Sequence, residues 1–170
     1  ASVTFKINAG TDFVYSWADF VGDVNGDGYA DMALLDANGA SSIMYLVLGR
    51  ASWPATVYVS SDTSTFTVSP NASDNPATFG IAAAGLDWNG DGIDDLVLGN
   101  PRALSGSDYQ GKLYMYMGPI NADRTYANAD LVISGAATTD WFGNAVAGAG
   151  DVDGDGYVDL FAGAYKAGGG

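Results

Sequence analysis

Three nine-residue stretches concentrate the oxygen donors of this chain: DVNGDGYAD from Asp23, DWNGDGIDD from Asp87 and DVDGDGYVD from Asp151, each 64 residues after the last. In each, acids or amides stand at positions 1, 3, 5 and 9, and glycine at position 6. Like charges about 4 Å apart repel by roughly 1 kcal/mol in water and about 4 kcal/mol at an effective dielectric near 20. Three or four carboxylates turned inward therefore need a neutralising cation. Hard oxygen donors at alternating positions select calcium over softer metals. The expected ligands are Asp23, Asn25, Asp27, Asp31 and the Tyr29 carbonyl in the first loop. In the second they are Asp87, Asn89, Asp91, Asp95 and the Ile93 carbonyl, and in the third Asp151, Asp153, Asp155, Asp159 and the Tyr157 carbonyl. Gly28, Gly92 and Gly156 sit where the chain must bend around the ion.

Two other readings compete. Asp-Gly turns that merely join hairpins would look alike singly, but equal spacing and a ninth-position acid in all three count against them. An EF-hand needs a bidentate carboxylate at position 12. Leu34, Leu98 and Ala162 hold that place.

The elements around the loops repeat as well. FVYSWADFVG, FGIAAAGL and FGNAVAGAG precede them; MALLDANG, LVLGNPRA and LFAGAYKA follow. SIMYLVLG and GKLYMYMG come next, then TFTVS at 65–69 and DLVIS at 130–134. These short runs, rich in branched and aromatic residues and punctuated by glycine, read as strands. In GKLYMYMG, Leu113, Met115 and Met117 face one side and Tyr114 and Tyr116 the other, so both faces of the sheet need cover. The expected fold is all-β: propeller-type blades of four antiparallel strands, about two and two-thirds 64-residue repeats. The predicted division is 1–13, an outer strand (VTFKI, 3–7) and loop; 14–77, a first blade; 78–140, a second; and 141–170, part of a third. Such a count leaves strand edges open, to be completed by further chain or by neighbouring copies.

Composition bounds the rest. All 20 acidic residues are aspartate, against six Lys and Arg, for a net charge of −14. Nucleic-acid binding needs clustered cations, so it is not expected. A membrane span needs about 18 or more consecutive apolar residues, and no such run exists. With neither histidine nor cysteine, Ser-His-Asp chemistry, His-zinc chemistry and disulfides are excluded within these residues. Asp94 beside Asp95 resembles a catalytic carboxylate pair, but Asp95 is assigned to metal and Asp94 is expected to face solvent. Trp17, Trp53, Trp88 and Trp141 are read as inter-blade packing, with sugar stacking the competing role. Asn71-Ala72-Ser73 is a glycosylation sequon. No catalytic residues and no enzyme activity are expected.

Taken together these residues resemble FG-GAP repeats, the blades of the integrin α-subunit propeller and its bacterial relatives. Phe79-Gly80 and Phe142-Gly143 supply "FG"; Gly99-Asn100-Pro101 and Gly163-Ala164-Tyr165 stand at the "GAP" end. The first unit departs, with Val14-Tyr15 and Leu35-Asp36-Ala37 at those places. In that family the calcium loop joins the first two strands of a blade, where the strand reading puts it here. The resemblance implies a calcium-binding, non-catalytic adhesion or recognition module, extracellular or at the cell surface, with a protein or glycan ligand. An extracellular filament subunit joined head to tail by strand complementation, and the accessory propeller of a secreted hydrolase, are the alternatives. Extracellular calcium modules bind at about 10⁻⁴ to 10⁻³ M. At ten times that concentration each ion adds about 1.4 kcal/mol, or about 4 kcal/mol for three sites.

Overall fold

The computed structural model describes residues 2–6, 15–38, 41–70, 82–105 and 108–168. Phe79-Gly80, Val14 and the sequon at 71–73 lie outside them. β1 (Thr4–Lys6) is followed by β2 (Tyr15–Gly22), β3 (Asp31–Asn38), β4 (Ser41–Val47), β5 (Thr56–Tyr58) and β6 (Thr65–Ser69). Next come β7 (Ala82–Leu86), β8 (Asp95–Asn100), the short pair β9 (Leu104–Ser105) and β10 (Asp108–Tyr109), and β11 (Lys112–Tyr116). β12 (Arg124–Thr125), β13 (Leu131–Ser134), β14 (Phe142–Gly150) and β15 (Asp159–Ala164) complete the described strands. A single 3-10 turn at Tyr126–Asn128 is the helical element among the described residues. The chain is all-β.

The sheets are antiparallel meanders. β2, β3, β4 and β6 form one, β7, β8, β11 and β13 a second, and β14 pairs with β15. Registers are regular through the centre, as in Leu34 opposite Tyr45 and Leu98 opposite Tyr114. Alternation then sends successive side chains into different cores. Tyr114 and Tyr116 join Leu35, Met44 and Leu46 between the first and second sheets. Leu113 and Met115 join Leu86 and Val97 on the other face, with Val146 and Leu160 of the third sheet packed against them. The two-faced reading of GKLYMYMG holds. Innermost strands approach through backbone: a Cβ on Gly85 of β7 would collide with the Val21 carbonyl of β2. Only glycine permits that spacing.

The connections between third and fourth strands carry a device that repeat matching does not show. β12 leaves the second sheet and pairs in parallel with β6, the outer strand of the first (Arg124 with Val68). Asp123 Oδ1 helps, accepting the Thr67 amide at 2.7 Å. β5 does the same to β1, again in parallel, with Phe5 opposite Val57. Thr4–Lys6, expected as an outer strand, thus stands to β5 as β6 stands to β12. Trp53 closes this layer edge-on against Phe5 at 5.5 Å, with the Arg50 guanidinium 4.3 Å from its ring centroid.

Candidate metal centres

Each Asp loop joins the first strand of a sheet to the second: β2 to β3, β7 to β8, and β14 to β15. One scaffold recurs in all three. The first aspartate accepts amide hydrogens from positions 5 and 6: Asp23 from Asp27 (3.0 Å) and Gly28 (2.7 Å). Asp87 does so from Asp91 (3.0 Å) and Gly92 (2.9 Å), and Asp151 from Asp155 and Gly156 (both 3.0 Å). The fifth-position carboxylate accepts from position 7, with Tyr29, Ile93 and Tyr157 amides all donating at 2.9 Å. Glycines at position 6 take φ of 89°, 90° and 94°, a region costly for any residue with a Cβ. The loops are therefore preshaped by their own backbone.

The ninth-position acids start the second strands and are the most enclosed. Asp31 and Asp95 are fully buried. Asp31 accepts from the Val24 amide (2.9 Å) and the Gly49 amide (2.7 Å), and Asp95 from Trp88 (3.0 Å) and Gly118 (2.8 Å). Burial pushes the Asp31 carboxyl up to about 6, against the lowering effect of those amides. Asp95 is raised for the same reason. Asp159 accepts from Val152 at 2.7 Å and is half-buried. Carboxylates withdrawn from water beside other carboxylates are a donor set that a hard dication fits.

The loops are not identical. Asp151, Asp153 and Asp159 bring one oxygen each within 4.8 Å of one another, the one such acidic group among the described residues. Asp155 stands outside that trio. The matching places in the other loops, Asp23, Asn25 and Asp31, then Asp87, Asn89 and Asp95, each include an amide. The Asn25 and Asn89 side-chain amides donate to Asp27 and Asp91 at 3.0 and 2.8 Å. Position 3 as Asp therefore gives the third loop four acids at positions 1, 3, 5 and 9, against three in each of the others.

One residue departs from expectation. Asp94 does not face solvent: its Oδ2 accepts the Asp23 amide at 2.8 Å, and its own amide donates to the Asp23 carbonyl at 3.2 Å. The second loop thus braces the first. A Cβ on Gly22 (φ 74°) would overlap the Asp94 carboxylate, so the glycine makes room for the brace. No periodic signal marked Asp94, because its repeat positions hold Ala30 and Val158. Gly49 and Gly118 were legible, as the shared terminal glycines of SIMYLVLG and GKLYMYMG. Trp17 and Trp88 pack against inter-sheet cores as expected. Trp141 belongs to none of the three core clusters among the described residues.

Residues 79–116 match the FG-GAP repeat family. Over 91 residues, 51% of this chain and 8% of the relative, the sequence is 33% identical to integrin alpha-5 of Xenopus laevis. It is 41% identical over 90 residues to integrin alpha pat-2 of Caenorhabditis briggsae, covering 52% of this chain and 7% of that one. It is also 41% identical over 83 residues to the phosphatidylinositol-glycan-specific phospholipase D of Rattus norvegicus, covering 48% of this chain and 10% of that one. The chain thus spans a tenth or less of the length of these relatives. The matched segment runs from ahead of β7 to the end of β11 and includes the whole second Asp loop. Residues 79–116 are thus an FG-GAP repeat, at the second of the three Asp loops.

Proposed function

We propose that this chain is a calcium-stabilised recognition module that works outside the cell and has no catalytic centre of its own. The observation that carries the reading is one hydrogen-bonded scaffold built three times at the same strand junction, with the buried ninth-position acids Asp31 and Asp95 pushed up by burial in two of them. Asp23, Asp87 and Asp151 organise the loops; positions 3, 5 and 9 and the carbonyls of Tyr29, Ile93 and Tyr157 offer the remaining oxygens. When bound, calcium supplies the positive charge that lets these groups stay ionised side by side. Ten of the 20 acids would be engaged, bringing the net charge from −14 to about −8. Cytosolic calcium is too scarce to fill sites of the expected affinity, hence the extracellular placement. The likeness to integrin alpha chains supports recognition of a protein or glycan ligand.

Calorimetric titration of the chelator-treated chain tests this directly. We expect uptake of three calcium equivalents and a higher melting temperature, and one equivalent fewer in D151N/D159N. Absence of uptake, or of any thermal shift in millimolar calcium, would overturn it. A second reading, the accessory module of a secreted hydrolase, is favoured by the likeness to the phospholipase D. It predicts hydrolysis by a longer polypeptide and none by residues 1–170 alone. Joining of copies through open strand edges would appear as a concentration-dependent rise in sedimentation coefficient, abolished by deleting residues 1–8.

A further inference from the structure

At the end of the sheets away from the Asp loops, two of the chain's six basic side chains converge on one tryptophan. The Arg102 guanidinium lies 4.5 Å and the Lys166 ammonium 4.0 Å from the centroid of the Trp141 ring. The two charges are thus less than about 9 Å apart, close enough to repel. Among the described residues neither has a carboxylate within 4.0 Å, in a chain with 20 aspartates. The nearby Asp140 carboxylate instead accepts the Ala137 amide at 3.1 Å. By contrast Arg50, stacked on Trp53, is neutralised by Asp62 at 2.8 Å. Beside Trp141, with ring centroids 6.1 Å apart, Tyr165 is 72% exposed.

The backbone beneath is strained. Thr139 (φ 67°) and Trp141 (φ 58°) are the non-glycine residues at positive φ among the described ones. A β-branched residue in that region is an outlier, and such strain gathers at ligand sites. Three separate segments supply the site: the turn after β8 gives Arg102, the entry to β14 gives Trp141, and the turn after β15 gives Tyr165 and Lys166. Phe142 fixes the β14 entry by donating its amide to the Gln110 carbonyl at 3.0 Å.

We propose that Arg102, Lys166 and the exposed face of Tyr165 form a binding site for an acidic saccharide, a sugar bearing carboxylate or sulfate. Trp141 holds the two cations apart and in place by cation–π contact. Their N–H groups then donate charge-assisted hydrogen bonds to the acid oxygens. Tyr165 presents an open aromatic face to the apolar face of the sugar ring. A flat ring beside paired cations suits a rigid, ring-based anion better than a flexible peptide carboxylate. The overall negative charge does not forbid this. β14 is nine residues long, which at about 3.3 Å per residue puts the site about 30 Å from the third Asp loop. That is more than three Debye lengths at physiological salt, where the length is about 8 Å. The inference rests on the recognition reading above and names its ligand class.

The test uses the chain in saturating calcium, after confirming that calcium raises its melting temperature. Binding of a hyaluronan-derived hexasaccharide (carboxylate), a heparin-derived hexasaccharide (sulfate) and the methyl ester of the first is measured by calorimetry and tryptophan fluorescence. At least one acidic probe should bind and the ester should not. R102A and K166A should each weaken binding roughly tenfold, the usual loss of one charge-assisted contact, with K166R near wild type. Y165A should weaken whichever acidic probe binds, and all variants should keep the calcium-dependent melting shift. Equal binding of acid and ester, no binding of either acid, or an unaffected R102A/K166A double variant would overturn the site. Tighter binding of an aspartate-containing tetrapeptide than of both saccharides would overturn the ligand class. A saccharide failure with the melting shift intact sinks only this site, whereas loss of the shift in wild type sinks the calcium reading.

Discussion

Asp31 concentrates the chemistry of the loops in one side chain. Its carboxyl is raised from 3.8 to about 6 by burial, so without metal the folded state holds a proton that the unfolded state gives up. Stability must then fall as pH climbs from about 4 to about 6, because the unfolded chain binds fewer protons over that window. The loss is roughly 3 kcal/mol, at 1.36 kcal/mol per pKa unit, and is complete above about 6. On the proposed calcium reading the ion binds the ionised form and reverses the preference, so its affinity should drop as pH falls below about 6. Urea denaturation at pH 4, 5, 6 and 7, in chelator and in calcium, checks both. In chelator, D31N should make the dependence shallower, leaving the part due to Asp95, while costing a calcium equivalent. A wild-type profile in chelator that rises between pH 4 and 6 would refute the assignment.

Between single residues and the whole lie the links from one element to the next. The Asp94 brace ties the second loop to the first, and D94A should cost about 1–2 kcal/mol by stranding the Asp23 amide. D94N keeps an acceptor oxygen and should cost little. Calorimetry should show D94A weakening calcium at the first site more than at the third, because only the first loop leans on Asp94. G22A tests the same contact from the other side: at φ 74° and against the Asp94 carboxylate it should be at least as damaging as D94A. The β12–β6 hook is a second such link. Asp123→Ala removes acceptors for the Thr67 amide and hydroxyl, at 2.7 and 3.1 Å. Hydrogen exchange should then quicken at Thr67 and leave the β11–β8 amides unchanged.

At the scale of the molecule, the cores between sheets and the Asp loops at one end are coupled through the strands they share. Leu96 and Leu98 of β8 pack between the first and second sheets, and Asp95 begins the same strand. On the proposed calcium reading, emptying the loops should loosen the starts of the strands on which those cores are hung. Three sites at about 1.4 kcal/mol each should lower the unfolding free energy by about 4 kcal/mol on chelation. That is a large part of a typical 5–15 kcal/mol. Thermal denaturation with and without chelator, at fixed ionic strength, gives the figure. Magnesium should rescue poorly, since it demands near-octahedral geometry and loses water reluctantly.

The strands, their two-faced alternation and the three loops are all readable from the order of the residues. These are local: a period of two, a glycine where φ must be positive, and acids at alternate positions each leave their mark within nine residues. The 64-residue repeat turned those marks into an architecture, because three copies of one pattern imply three copies of one fold. What breaks the repeat emerges only from contacts between distant segments. Asp94 has no acidic counterpart at Ala30 or Val158, so its reach across to Asp23 left nothing periodic to read. Arg102, Trp141, Tyr165 and Lys166 lie up to 64 residues apart and meet only because the turns after β8 and β15 and the entry to β14 share one end of adjacent sheets. The parallel hooks of β5 and β12 were equally silent, since strands of two or three residues carry too little pattern to be seen before their partners are in place.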